Sequence, residues 1–145
     1  MILRAFTIDD LSVISRYQYR DTSVEEIKKM ILQWDTRQYC GRYFEMLAIE
    51  KNGCVVGYVS VMEQSDSTVS EGVEIYAPYR RQGLAYNAVT LLLEHIKLLG
   101  YSSVFAQVRQ DNAASIALHH KLGFQITDSF SNPKGNLVYK FSIEL

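Results

Sequence analysis

The residues whose types and spacing suggest chemistry lie between Glu71 and His119. At their centre, Val73–Ala85 reads V-E-I-Y-A-P-Y-R-R-Q-G-L-A. Val73 to Ala77 has the β-branched and aromatic content of a strand. Pro78 donates no backbone hydrogen bond and ends the ladder. Helical sequence resumes at Leu84. Between the two sit Arg80, Arg81, Gln82 and Gly83: two guanidinium groups, and a glycine that lets another molecule approach the backbone. The first N–H groups of a helix have no intrahelical partner, so such a junction is an anion site, phosphate above all. The plainer alternative is an exposed basic turn. Two carboxylates, Glu71 and Glu74, precede this stretch. On a regular strand they point to opposite faces, so one of them at most faces a given substrate. Downstream, Asn112, Ser115 and His119 recur at i, i+3 and i+7, one face of a helix. A helix cap at Asn112, a partly exposed histidine and surface carboxylates are the bland alternatives.

Arg80-x-x-Gly83-x-Ala85 resembles the acetyl-CoA pyrophosphate motif of the GCN5-related N-acetyltransferase (GNAT) superfamily, with Ala85 where a second glycine is commoner. Asn112–Phe124, N-A-A-S-I-A-L-H-H-K-L-G-F, resembles the next motif of that superfamily. The two stand in the family's order and spacing, and the likeness runs loosely from Leu3 to the C-terminus. It implies acetyl-CoA as acyl-donor cosubstrate, with no metal and no covalent intermediate. The backbone of Arg81, Gln82, Gly83, Leu84 and Ala85 would hold the pyrophosphate, with Arg80 or Arg81 adding charge. The main chain of Ile75, Tyr76 and Ala77 would pair with the pantetheine arm, and the Ala77 N–H would polarise the thioester carbonyl. Asn112 would bond an amide of the arm, and Ser115 would permit close packing.

Two departures matter. His119 stands where many members carry a tyrosine acid, and the phosphinothricin-type branch is similar in having His there. Gln107-Val108-Arg109 stands where the ribosomal-protein-alanine type has Glu-Val-Arg, and Gln cannot take a proton. The base is therefore sought first in Glu71, which the phosphinothricin-type and ribosomal-serine types resemble in carrying, then in Glu74, or in water. His119 is the expected acid. The implied function is transfer of an acetyl group to a primary amine, on a small molecule rather than a protein. A CoA-binding sensor that has lost its chemistry is the alternative those departures motivate. A partner-dependent subunit is a third, suggested by Tyr17, Tyr19 and Trp34. Cys40 and Cys54 lie outside both motifs and do not suggest an acyl carrier.

Composition narrows the field. The chain has 145 residues, enough for one domain spanning 1–145, and is 48% hydrophobic and 21% charged. It has no apolar run near the ~20 residues of a membrane span. No signal peptide precedes the strand-like Ile2–Phe6, so a cytoplasmic protein is expected. Two cysteines fit no metal-ligand spacing. Residues 45–74 hold six acids against Lys51 alone, which suits a cationic amine or only a solvated face. No basic stripe is dense enough for nucleic acid. A homodimer is the form common among the relatives.

The elements that must position these groups follow from pattern. Ile2–Phe6 is a strand, and Thr7 opens a helix to about Tyr19. Ser23 and Glu26 make the capping box of a second helix. Phe44–Glu50 and Cys54–Met62 are strands joined by Asn52-Gly53. Gln64–Val69 is a loop and Ser70–Ala77 a strand. Gly83–Leu99 is a helix, Ser103–Val108 a strand, and Ala113–Leu122 a helix. Phe124–Phe130 and Leu137–Ile143 are the last strands. The fold class is α+β: a GNAT-like mixed, mostly antiparallel sheet with helices on both faces, in the order β-α-α-β-β-β-α-β-α-β-β.

Overall fold

A twisted sheet divides two helical layers in the computed structural model, which describes all 145 residues. The strands are β1 (Ile2–Ala5), β2 (Gln38–Tyr39), β3 (Arg42–Lys51), β4 (Cys54–Glu63), β5 (Thr68–Ile75), β6 (Ser103–Arg109), β7 (Gln125–Ser131) and β8 (Leu137–Glu144). The helices are α1 (Leu11–Tyr17), α2 (Val24–Asp35), α3 (Leu84–Leu98) and α4 (Ala113–Lys121). Strand order is β1-β3-β4-β5-β6-β8-β7, with β2 added to β3. Every pairing is antiparallel except β5 with β6. The mixed α+β architecture is the expected one. No helix is long and apolar enough to cross a membrane.

Alternation along the strands sends side chains to two cores. Val59, Val61, Val69 and Ile75 pack with Leu84, Ala88, Leu92 and Ile96 of α3, and with Phe124 and Phe141 beneath α4. Ala48, Val55 and Tyr76 pack on the other face with Ile14 of α1 and with Ile27 and Ile31 of α2.

Four boundaries differ from those expected. The first helix is broken: Ile8–Asp10 is a 3-10 turn before α1. Asp10 is buried there, takes two hydrogen bonds from Arg4 and one from the Thr7 N–H, and so holds the chain in a tight entry. The predicted loop is shorter, because Thr68 and Val69 already pair with Ser103 and Val104. β5 ends at Ile75, and Ala77–Tyr79 forms a 3-10 turn around Pro78. The β2–β3 hairpin was not expected. It turns at Cys40 and Gly41, left-handed at φ 50° and 76°, and only the second is a glycine.

Two irregularities shape the site. Ile49 faces Gly57 and Glu50 faces Val55, so Val56 is an extra residue that bulges β4. Gly57 is required there, since a Cβ on it would lie 2.1 Å from the Glu74 carbonyl oxygen. The second is a fork. β5 pairs with β6 only at Thr68–Ser103, Val69–Val104 and Ser70–Phe105. Beyond Ser70, β5 stays with β4 to Ile75 while β6 stays with β8 to Arg109, and the two strands part.

Candidate active site

The fork opens into a groove of about 650 Å3 between the end of β5, the Tyr79–Gly83 turn, the start of α3 and one face of α4. Val73, Arg81, Ala85, Asn112 and Ser115 are among its walls. No N–H from Arg81 through Tyr86 donates a hydrogen bond within the chain. Arg81 and Gly83 are both left-handed, at φ 62° and 73°. Helix α3 is fifteen residues long, so its N-terminal dipole and these free donors make an anion cradle.

Arg80 is committed elsewhere. Its Nη2 lies 2.5 Å from Glu74 Oε1, and its Nε donates to the Ile75 carbonyl at 2.8 Å. It folds the turn back against β5, and Arg81 is left as the nearer cation for a phosphate.

The direction of the β5 main chain follows from its partners. The Tyr76 N–H donates to the Val56 carbonyl at 2.9 Å, and the Thr68 carbonyl accepts from Gln64. Even-numbered residues therefore bond toward β4, and the N–H and C=O of Val73 and Ile75 point into the fork. Tyr76 was expected to pair with a pantetheine arm and is instead turned away. Its ring is buried in the α1/α2 core, stacked on Tyr17, with its hydroxyl donating to the Gln18 side chain. Val73, which the sequence reading left out, is the residue whose main chain opens into the fork instead. The Ala77 N–H has no partner in the chain.

At the crotch of the fork, Glu71 and His119 meet. They were expected as separate base and acid, and they form one buried pair. His119 Nε2 lies 2.5 Å from Glu71 Oε1, with side-chain exposures of 3% and 1%. His119 Nδ1 lies 2.8 Å from the Ser115 carbonyl oxygen, which can only accept, so Nδ1 carries a proton. The Nε2–Oε1 contact holds one more proton, and the pair as a unit is neutral. Phe124 meets the imidazole edge-on at a centroid distance of 5.0 Å, and Phe141 lies tilted against it. Burial pulls the His119 pKa down, but the hydrogen bond and charge of Glu71, helped by the Ser115 carbonyl, outweigh it and the net shift is upward. Both ring nitrogens of His119 are committed, which leaves no free N–H for it to act as a separate acid. Glu71 Oε2, by contrast, is buried with no hydrogen-bond partner. A buried carboxylate oxygen without a donor is costly, and a water or ligand N–H there would relieve it.

The remaining expected residues divide. Asn112 Oδ1 caps α4 by accepting the Ser115 N–H at 3.1 Å, and Asn112 also lines the groove. Ser115 supplies the carbonyl that fixes His119. Gln82 lies in the turn, and Leu84 and Ala85 open α3. Glu74 lies on the opposite face from Glu71, paired with Arg80. Gln107 is exposed on β6, opposite Lys140. Lys121, whose Nζ lies 4.4 Å from the Tyr86 ring centre, joins α3 to α4 across the groove. Nothing in the sequence signals that contact before α4 is docked.

This arrangement has a family. The model of the acetyltransferase (GNAT) domain matches residues 1–125, and the chain belongs to that family. Among curated relatives, it is 32% identical over 102 residues to the L-methionine sulfoximine/L-methionine sulfone acetyltransferase of Salmonella typhimurium strain LT2. That match covers 66% of this chain and 58% of the relative. Among solved structures, YncA of Salmonella typhimurium, a putative acetyltransferase with its cofactor acetyl-CoA, superposes with a TM-score of 0.76 at 22% identity, covering 100% of this chain and 94% of that one. A chimera of the spermidine N-acetyltransferase SpeG from Vibrio cholerae superposes with a TM-score of 0.83 at 16% identity, covering 99% and 96%. Likeness at these identities establishes the shared fold.

Proposed function

We propose that the chain is an acetyl-CoA-dependent N-acetyltransferase that moves an acetyl group directly to a primary amine on a small molecule. The observation that carries this reading is the coincidence, at one fork in the sheet, of free donors and a buried proton-holding pair. The N–H groups of Arg81 to Tyr86 have no partners, and the groove they open into is of ligand size. A diphosphate fits the donors, and an extended amide-bearing arm fits the open main chain of Val73 and the Ile75 N–H. A relative that acetylates methionine sulfoximine and methionine sulfone supports a small acceptor.

Acetyl-CoA, when bound, supplies the thioester whose carbonyl carbon the amine attacks. The work of the chain is then as follows. The Arg81–Ala85 backbone and the α3 dipole neutralise phosphate charge, and Arg81 adds a guanidinium. The Ala77 N–H is the free donor nearest the end of β5, suited to a developing oxyanion. Glu71 takes up the amine proton at Oε2, its oxygen without a hydrogen-bond partner, through a water molecule at the crotch of the fork. As the C–N bond forms the C–S bond breaks, and Glu71 gives the proton back to the departing CoA thiolate. His119 acts through Glu71: by donating from Nε2 it keeps the carboxylate ionised and oriented until the proton arrives.

Cytoplasmic location and a homodimer belong to the same reading. The test of the cradle is calorimetric titration with acetyl-CoA, CoA and a simple thioester that lacks the nucleotide. Binding of the first two and none of the third is expected. Absence of binding by all three would contradict the proposal.

A further inference from the structure

The edge of the sheet beside β3 is broken. β1 pairs with Leu47–Glu50 and β2 with Arg42 and Tyr43, so no strand lies opposite Glu45. The direction of the β3 main chain follows from the Phe44 N–H, which donates outward to the Arg37 carbonyl at 3.1 Å. Even-numbered residues therefore bond away from β4, and the Phe44 carbonyl and the Met46 N–H open into the break with no main-chain partner. A cavity of about 620 Å3 lies there, with Ala5, Trp34, Arg37, Glu45, Leu91 and His95 among its walls.

Glu45 is the buried charge on this cavity, with a side chain 6% exposed. Its Oε1 accepts from the Tyr43 hydroxyl at 2.9 Å and lies 2.6 Å from His95 Nε2. Its Oε2 takes no hydrogen bond from the chain, and the nearest cation, Arg37 Nε, is 3.9 Å away. A carboxylate held this far from water with one oxygen lacking a donor is costly, and a ligand N–H would relieve it. Arg37 follows α2 in a left-handed turn at φ 55°, and its guanidinium stands at the rim, 64% exposed.

The pattern selects a ligand. In a parallel pairing, the N–H and C=O of one residue bond to the C=O and N–H that flank a single residue of the neighbouring strand. One residue laid beside Glu45 would donate to the Phe44 carbonyl and accept from the Met46 N–H. The opening is closed by Ala5 at one end and Gln38 at the other, so it takes a single residue and not a strand. Charge agrees with this. Glu45 Oε2 is placed for an ammonium group and Arg37 for a carboxylate, while Arg4 is spent on Asp10 and Glu50. Asp35 is exposed, and Leu3, Trp34 and Leu91 make the rest of the wall apolar.

We propose that this cavity is a second small-molecule site, for a free α-amino acid with an apolar side chain. It shares no wall with the groove at the fork, so it stands apart from the transferase reading.

Trp34 is the sole tryptophan and lines the cavity, so its emission reports occupancy without turnover. The experiment titrates the whole chain, in the absence of acetyl-CoA, with L-phenylalanine, phenethylamine, 3-phenylpropionate and phenylalanylglycine. The second lacks the carboxylate, the third lacks the ammonium group, and the dipeptide moves its carboxylate one residue away. The expected affinity for L-phenylalanine exceeds that for the other three by about tenfold or more, the scale of one hydrogen bond to a charged group. Arg37→Gln, at an exposed position, and Glu45→Gln each weaken L-phenylalanine binding about tenfold or more. Arg37→Gln leaves phenethylamine binding unchanged, and saturating CoA leaves L-phenylalanine binding unchanged. No saturable change in emission up to about 10 mM overturns the inference. So does L-phenylalanine binding that survives Arg37→Gln or is displaced by CoA, or a preference for the dipeptide, which would make this a site for a peptide terminus. Each of these leaves the transferase reading standing, and that reading fails on its own if acetyl-CoA does not bind.

Discussion

At the residue scale the molecule turns on one hydrogen bond. Glu71 and His119 are 48 residues apart and share a proton in a pocket closed by Phe124 and Phe141. Glu71→Gln is expected to lower kcat by about 100-fold or more with little change in KM for acetyl-CoA, the usual cost of losing a positioned base. His119→Gln is expected to lower kcat less and to move the pH–rate profile, because it acts through the carboxylate. The His119 pKa is raised in the folded protein, so the native state holds a proton that the unfolded state has released. Its stabilising contribution is complete below about pH 6.5, the ordinary histidine value, and is lost as pH rises through the raised value. Chemical denaturation of wild type and His119→Gln at several pH values checks this: the difference should be largest in acid and shrink on the alkaline side. A difference that grows with pH would contradict the ion-pair assignment. Each residue of the pair was visible in the sequence as a candidate. Their pairing was not, because it depends on how α4 lies over β5.

At the scale of elements, the fork and the bulge set where those residues stand. The strand–helix–strand from β5 through α3 to β6 was legible from periodicity and Gly83, and a parallel pairing follows from that order. The fork was not, since nothing local in Glu71–Ile75 says that β6 has gone. The left-handed Cys40 hid the β2 hairpin for a similar reason: a non-glycine turn carries little signal. Asn52-Gly53, left-handed at φ 52° and 79°, announced its hairpin plainly. Gly57 is the position where element and site meet. Gly57→Ala drives a methyl group into the Glu74 carbonyl, a backbone atom that cannot swing aside. We expect a loss of about 2 kcal/mol or more in stability, in the range of other overpacked sites, with weakened acetyl-CoA binding because the open edge of Val73 and Ile75 shifts. Urea titration and calorimetry on the same sample check both effects. Unchanged stability would show that β4 and β5 are not held at the distance described.

At the scale of the whole molecule, the sheet separates two layers. The α3/α4 face carries the groove at the fork and buries the Glu71–His119 unit, while the α1/α2 face buries Tyr76. On the proposed reading, thioester and amine meet where β5 leaves β6. The most direct test of that account is acetyl-CoA turnover with a panel of small primary amines, following free CoA thiol and N-acetylated amine together in wild type and Glu71→Gln. The account predicts equal amounts of the two products from wild type and a rate at least about 100-fold lower from the variant. Acetyl-CoA binding without amine-dependent thiol release, or a Glu71→Gln variant as fast as wild type, would contradict it.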